Sequence, residues 1–291
     1  MMFQSYLASY FKPFIGLCLC LFASIQAHAQ IAQATPWLSN PTHPPVKAQL
    51  VLTGEVNQTQ KQVMGYVAVS LDEGWKTYWR TPGEGGVAPK FDWQNSTNIE
   101  DITWLWPAPN RYQLLGLEML GYKNQVIFPI QITLKDWQKP LVLRADFTLS
   151  SCTDVCVLTD IPVALTTDAG QLNLDANAAQ IRAKALAKVP REHPNITVKQ
   201  LTWDKENQVL IAVMNNQTAQ PWEKPDVLID APPSLNTDLD GVFFLRPQLK
   251  MNGNELIARI PVKAWQTDID LDAKTLAITV IDNQILSQNQ A

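Results

Sequence analysis

The sequence predicts an all-β protein made of two β-sandwich domains in tandem, joined by a short helical linker. Short runs rich in β-branched and aromatic residues recur from about residue 46 to the C-terminus. Proline and glycine interrupt these runs at short intervals. One alanine-rich stretch divides the runs into an earlier and a later group, which indicates two sandwiches.

The N-terminal segment, residues 1–29, has the features of a secretory signal peptide. The apolar run "FIGLCLCLFASI" is followed by "QAHAQ", in which Ala27 and Ala29 form a small-x-small cleavage site. The run is shorter than the roughly 20 residues that a membrane span needs. We therefore expect cleavage after Ala29, loss of Cys18 and Cys20 with the peptide, and export of a chain that is not an integral membrane protein.

Composition narrows the classes of partner. The formal net charge is −4, and no cluster of lysine and arginine marks a nucleic-acid surface. Hydrophobic residues make up 46% of the chain, which is enough to build cores without a disulfide framework. We expect a globular exported protein with no nucleic-acid partner.

The first predicted domain spans residues 45–168. Strands are expected in "KAQLVLTGEV", "VMGYVAVSL", "NQVIFPIQITL" and "PLVLRADFTL". Turn residues separate these strands: Pro82, Gly83, Gly85, Gly86, Pro107 and Pro109. The glycines are most simply explained by such turns.

The helical linker is predicted within residues 169–195, where "LDANAAQIRAKALAKVP" has an N-cap at Asp175 and a stop at Pro190. Strand-like alternation then resumes in "NITVKQLTWD", "QVLIAVMN", "PDVLIDA", "VFFLRPQLKM", "ELIARIPV" and "LAITVIDN". These segments predict a second β-sandwich over residues 196–288.

The stretch "LSSCTDVCVLTD" holds a close pair of cysteines, Cys152 and Cys156. If the stretch were extended, the two Cα atoms would lie about 13 Å apart, whereas a disulfide requires about 7 Å or less. A bridge between them therefore requires a tight turn, for which Asp154 is a suitable residue.

Three functions are open to this pair on the residues alone. It can be a stabilising disulfide, although closing so short a loop removes little unfolded-state entropy. It can be a redox centre. It can also hold a soft ion such as Cu(I) between its two thiolates, although the histidines His43 and His193 are remote from it in sequence. Because Asp154 lies between the cysteines and no cation is nearby in sequence, the local charges raise the thiol pKa and favour a disulfide that is attacked.

Three longer motifs carry a resemblance to a known family. The run "DEGWKTYWRTPGEGGVAPKFDW", then "WPAPNRYQLLGLEMLGYKNQVIFPI" and "CTDVCV", resembles the N-terminal periplasmic domain of the DsbD thiol:disulfide interchange proteins and the related ScsB suppressors of copper sensitivity. The resemblance covers residues 45–168, and the helix and second β domain are similar to the ScsB arrangement. It implies immunoglobulin-like sandwiches, with a redox-active cysteine pair on a hairpin of the first.

The resemblance also implies the site residues. It assigns the catalytic disulfide to Cys152 and Cys156 and a shielding cap loop to the segment from Tyr112 to Gly121. The supporting residues, including the turn residue between the cysteines, are Trp75, Tyr78, Glu118, Tyr122 and Asp154. We expect the apolar cap residues, namely Leu114, Leu115, Leu117 and Met119, to shield the sulfurs from small reductants.

The implied function is a periplasmic thiol-disulfide exchange module that takes electrons from a membrane reductase or thioredoxin-like donor and passes them to a disulfide-bearing acceptor protein. No membrane-embedded or thioredoxin-like domain precedes Ala291, so we expect the donor on a separate chain. Such a component of a protein-disulfide reductase system needs no cofactor and no metal. The alternatives are a non-catalytic binding or scaffold protein with a structural disulfide, and a copper-handling protein.

Overall fold

The computed structural model describes residues 33–114, 116–231, 239, 241–265, 269–272, 274–283 and 285–291. The expected signal peptide and the cap residue Leu115 lie outside these residues. Within them, no helix is both long and apolar enough to cross a membrane. The predicted fold class is confirmed, because the chain forms tandem sandwiches of antiparallel sheets with one α-helix among the described residues.

The first domain contains two facing sheets. Its strands are β1 (Leu38–Asn40), β2 (His43–Asn57), β3 (Gln62–Leu71), β4 (Lys76–Gly83), β5 (Lys90–Asp92), β6 (Ile99–Trp104), β7 (Asn110–Leu114), β8 (Leu117–Lys123), β9 (Gln125–Leu134), β10 (Leu141–Cys152) and β11 (Cys156–Thr167). One sheet has the order β1-β2-β3-β9-β6. The other has the order β11-β10-β4-β8-β7, with β5 also paired to β10.

The core of this domain lies between the two sheets and follows from alternation along the strands. In β10 every second side chain is buried, namely Leu141, Leu143, Ala145, Phe147 and Leu149. Because successive strand residues point to opposite faces, the intervening residues lie on the outer face of the sheet. Trp79 of β4 is fully buried in the same core, so it is a packing residue.

The predicted helix is present as α1 (Ala176–Leu186) and begins at the expected cap. The Asp175 carboxylate accepts hydrogen bonds from the backbone N–H groups of Asn177 and Ala178. The helix packs on β2, β3 and β9, and Arg182 pairs with Glu55 at 3.5 Å. This segment is therefore attached to the first domain rather than extended between the two.

The second domain also forms two sheets. Its strands are β12 (Ile196–Asp204), β13 (Val209–Asn216), β14 (Asp226–Asp230), β15 (Val242–Phe244), β16 (Gln248–Asn252), β17 (Glu255–Ala264), β18 (Ala277–Asp282) and β19 (Ile285–Gln290). One sheet follows β12-β13-β17-β15, with β16 also on β17, and the other follows β14-β18-β19. The segment "VFFLRPQLKM" forms two strands, because Pro247 lies at the break between them.

Candidate functional site

The cysteine pair closes the β10–β11 hairpin. Cys152 and Cys156 are the last residues paired in this ladder, and their Cα atoms are 4.1 Å apart with the sulfurs bonded as a disulfide. The N–H of Thr153 donates to the carbonyl of Val155 at 3.0 Å within the connecting turn. The chain therefore folds back between the cysteines, as a disulfide at this spacing requires.

The two cysteines differ in exposure. Cys152 is fully buried, whereas Cys156 is exposed at the hairpin end. Cys152 packs in a small cluster on the outer face of its sheet, away from the main core. The other buried members of this cluster are Tyr78, Tyr112, Leu114 and Met119.

The Tyr78 hydroxyl contacts both sulfurs of the disulfide. It lies 2.7 Å from Sγ of Cys152 and 3.6 Å from Sγ of Cys156. Because a disulfide sulfur carries no hydrogen, the hydroxyl is the donor. Burial raises the pKa of Tyr78, which keeps this proton in place.

A second tyrosine and two lysines continue this outer face. The Tyr112 hydroxyl donates to the carbonyl of Thr77 at 2.8 Å, and burial raises the pKa of Tyr112 strongly. The ammonium groups of Lys76 and Lys123 lie 5.9 and 5.4 Å from the Tyr112 ring centroid. Lys76 also pairs with Cys152 in the β4–β10 ladder, so the fold brings positive charge to a site whose local sequence has none.

The predicted cap loop is a β-hairpin, β7–β8, which we call the cap hairpin (residues 110–123). Leu114 and Met119 are buried beside Cys152, which is the placement expected of shielding residues. Leu117 is 37% exposed and lies at the hairpin's free end. Leu114 and Met119 thus lie on the disulfide side of the hairpin, whereas Leu120 lies in the main core.

The glycine-rich segment after β4, residues 83–86, lies against this cluster. A Cβ at Gly86 would stand 2.5 Å from Cδ1 of Tyr78, and a Cβ at Gly85 would stand 2.9 Å from the methyl of Met119. These glycines therefore permit close approach of the backbone to the site, in addition to the turns predicted for them. Gly83 does adopt a positive φ of 94°.

The remaining predicted supporting residues lie elsewhere. Both Glu118 carboxylate oxygens are bound by arginines, as described below. Tyr122 is a buried core residue whose hydroxyl donates to the carbonyl of Pro107 at 2.7 Å. Trp75 packs edge-on against His43 with ring centroids 4.6 Å apart, and Asp154 is exposed in the turn. Of the five supporting residues, Tyr78 is the one that contacts the sulfurs.

His43 was not singled out by the sequence, yet it supports the base of the cysteine hairpin. Its Nε2 lies 2.9 Å from Oγ of Ser151, the residue before Cys152. Desolvation lowers the pKa of His43. No group of three or more His, Cys, Asp or Glu side chains suited to a metal ion occurs among the described residues.

The fold and the site together define a β-sandwich protein with a shielded disulfide at the end of a hairpin. A family model for the N-terminal domain of the thiol:disulfide interchange protein DsbD matches residues 46–168, and one for a domain of unknown function (DUF8393) matches residues 188–291. Among solved structures, the N-terminal periplasmic domain of ScsB from Proteus mirabilis is similar, with 28% identity and a TM-score of 0.71. The match covers 89% of this chain and 97% of that one.

A search of curated protein sequences finds no match. The family model and the structural match nevertheless agree with each other on the first domain. Residues 46–168 match the family of DsbD N-terminal domains, which supports the resemblance seen in the sequence.

Proposed function

We propose that this protein is a periplasmic thiol-disulfide exchange module that relays electrons from a separate reductase to periplasmic partners through the Cys152–Cys156 disulfide. The observation that carries the proposal is the asymmetry of the pair, with one exposed cysteine and one buried cysteine whose sulfur accepts a tyrosine hydrogen bond. The match of residues 46–168 to the DsbD N-terminal family and the similarity to a periplasmic ScsB domain support both the chemistry and the compartment.

In the accepting half-reaction, a donor thiolate attacks Sγ of Cys156, the exposed sulfur. The new bond joins donor and Cys156, the original S–S bond breaks, and Cys152 leaves as a thiolate. The Tyr78 hydroxyl, 2.7 Å from the leaving sulfur, stabilises the developing charge. A second donor thiol then attacks the donor's own sulfur in the mixed disulfide and releases Cys156, so the donor leaves as a disulfide. The cysteine pair has gained two electrons and, once both sulfurs are protonated, two protons.

The delivering half-reaction runs the same steps in reverse. The Cys156 thiolate attacks a sulfur of the acceptor's disulfide, and the acceptor's other sulfur leaves as a thiolate. Cys152 then attacks Cys156 in the mixed disulfide, which restores the internal bond and releases the reduced acceptor. Positive charge from Lys76, opposite Cys152 in the ladder, favours the thiolate that this step requires.

Two single-cysteine variants test the assigned roles with oxidised glutathione as the probe. The Cys152→Ser variant retains the exposed sulfur and should form a glutathione adduct rapidly, detected as a mass increase. The Cys156→Ser variant retains the buried sulfur and should form it slowly. Equal rates in the two folded variants would contradict the assignment of Cys156 as the attacked residue.

The reduction potential decides between exchange and a structural bond. Equilibration of the purified protein with glutathione should give a potential above about −300 mV, within the range of exchangeable disulfides. A lower value would place the bond among inert structural disulfides and favour the scaffold alternative.

A further inference from the structure

The second domain carries contacts that suggest a role for it. We propose that this domain clamps the cap hairpin over the Cys152–Cys156 disulfide and so sets how often the sulfurs become accessible. The proposal deepens the proposed function and rests on the same site. Its evidence is the two-sided character of the cap hairpin and the ionic contacts on its outward side.

One face of the cap hairpin lies toward the disulfide cluster, and the other carries two charged side chains beside Leu120 and Tyr122 of the main core. Tyr112 pairs with Met119 in its ladder, and both lie in the cluster around Cys152. Neighbouring residues of a strand point to opposite sides, so Arg111 and Glu118 lie on the other face. The hairpin thus stands between the disulfide cluster and the groups that bind these two charged side chains.

Those groups belong largely to the second domain. Arg111 donates through Nε to Oδ2 of Asp226 at 2.7 Å and through Nη2 to the carbonyl of Val227 at 3.0 Å. Glu118 accepts from Nε of Arg246 at 2.6 Å and from Nη1 of Arg111 at 2.7 Å. The four side chains form one chain of alternating charge, with its middle on the cap hairpin and both ends on the second domain.

Burial strengthens this network. The side chains of Arg111 and Glu118 are only 10% and 16% exposed. Solvent and salt therefore screen the Arg111–Glu118 pair at the centre of the network less than they screen surface ion pairs. The distances and the shared carboxylate indicate a network that holds the hairpin, rather than isolated surface contacts.

The glycine-rich segment over the disulfide is tied to the same domain. Lys263 of β17 donates to Oε1 of Glu84 at 2.6 Å. Glu84 adjoins Gly85, which lies against Met119 of the cap hairpin. Both elements that cover the cluster are therefore fastened by ion pairs to the second domain.

The test removes the clamp from the second-domain side only, in the full chain with the variant D226N/R246A/K263A. We expect the folded oxidised protein to be reduced by dithiothreitol about three- to tenfold faster than wild type, because three ion pairs no longer oppose opening. The equilibrium potential should change little, since the disulfide and its contacts are untouched. Lys199→Ala is the matched control, because it removes a 2.8 Å pair with Glu255 inside the second domain.

Reduction at the wild-type rate in the folded triple variant would overturn the clamp, as would equal acceleration in Lys199→Ala. If the triple variant fails to fold, Arg246→Ala alone is the second variant, because that side chain is 65% exposed. An unchanged reduction rate in Arg246→Ala would then overturn the proposal. The exchange function is tested separately by the reduction potential. A reduction potential below about −300 mV would contradict exchange, but the reduction rates of the variants would still test the clamp.

Discussion

Two hairpins flank β4 in the cysteine-bearing sheet, and they are built differently. The β10–β11 hairpin pairs without a break from Leu141–Thr167 to the disulfide. The cap hairpin pairs only between 110–114 and 117–121, and its attachment to β4 is interrupted between Tyr78 and Gly83. The reactive bond thus lies on the long, regular hairpin and its cover on the short one.

The two hairpins also differ in what stabilises them. The inward side chains of β10 fill the main core of the first domain. The cap hairpin contributes Tyr112, Leu114 and Met119 to a small peripheral cluster. Its other face combines Leu120 and Tyr122 of the main core with ion pairs. Segments with few buried apolar contacts open more readily than core strands. We infer that access to the disulfide comes from movement of the cap hairpin while the cysteine hairpin stays in place.

The largest expected effect is on the cysteine hairpin itself. Phe147→Ala removes a fully buried ring from the main core and should lower the free energy of unfolding by about 3–5 kcal/mol. Urea denaturation measures this loss. A loss under about 1 kcal/mol would show that β10 is not the firmly packed element that the comparison requires.

Changes in the cap hairpin should affect access more than stability. Replacing Leu117 and Met119 with serine should cost about 2 kcal/mol, the low end for buried side chains, because Leu117 is partly exposed and the cluster is peripheral. The rate of reduction by dithiothreitol should rise, with the equilibrium potential nearly unchanged. A large fall in melting temperature with wild-type reduction kinetics would show that these side chains do not cover the sulfurs.

Tyr78→Phe tests the hydrogen bond to the buried sulfur. In the reduced protein a hydrogen bond from this hydroxyl would stabilise the Cys152 thiolate, so its loss should raise the pKa of that thiol. Thiolate absorbance followed against pH measures the shift. Tyr112→Phe is the matched control, because that hydroxyl bonds the Thr77 carbonyl, and an equal shift in both variants would argue against a specific role for Tyr78.

The smallest effect concerns His43, which supports the base of the cysteine hairpin. Desolvation lowers its pKa below the ordinary value of 6.5, so the unfolded chain binds the proton more readily. The contribution of neutral His43 to the free energy of unfolding is therefore fully present above pH 6.5. It is lost as the pH falls through the lowered pKa. When the pH falls from 7 to 5, the free energy of unfolding of wild type should decrease more than that of His43→Gln, by less than about 1 kcal/mol. Urea denaturation at the two pH values measures this difference. Identical pH profiles would contradict this.

Much of the first domain could be predicted from sequence because its strands alternate regularly. The strands β2, β3, β9 and β10 coincide with segments predicted as strands from their β-branched and aromatic residues. The cap hairpin was expected as a loop, because the family resemblance implied a cap loop there and its two paired strands are short. The resemblance and the apolar composition predicted a covering role, but neither specifies the hairpin pairing.

The polar surroundings of the disulfide depend on register, which composition does not specify. Lys76 stands opposite Cys152 only because β4 and β10 pair at that point. In the same way, Glu118 was predicted as a supporting residue near the disulfide, but its strand position directs it to the arginines on the opposite face. Contacts between residues more than 100 positions apart, such as Glu118 with Arg246, require the three-dimensional arrangement.

The most direct test of the account is native-state hydrogen exchange of the oxidised protein, followed by mass spectrometry at the level of individual segments. We predict that amides of residues 117–123 exchange faster than those of 141–152, and that the difference grows in D226N/R246A/K263A. This result would show that the cover opens while the cysteine hairpin remains folded. Equal exchange of the two segments, through global unfolding alone, would contradict a cap hairpin that controls access to the disulfide.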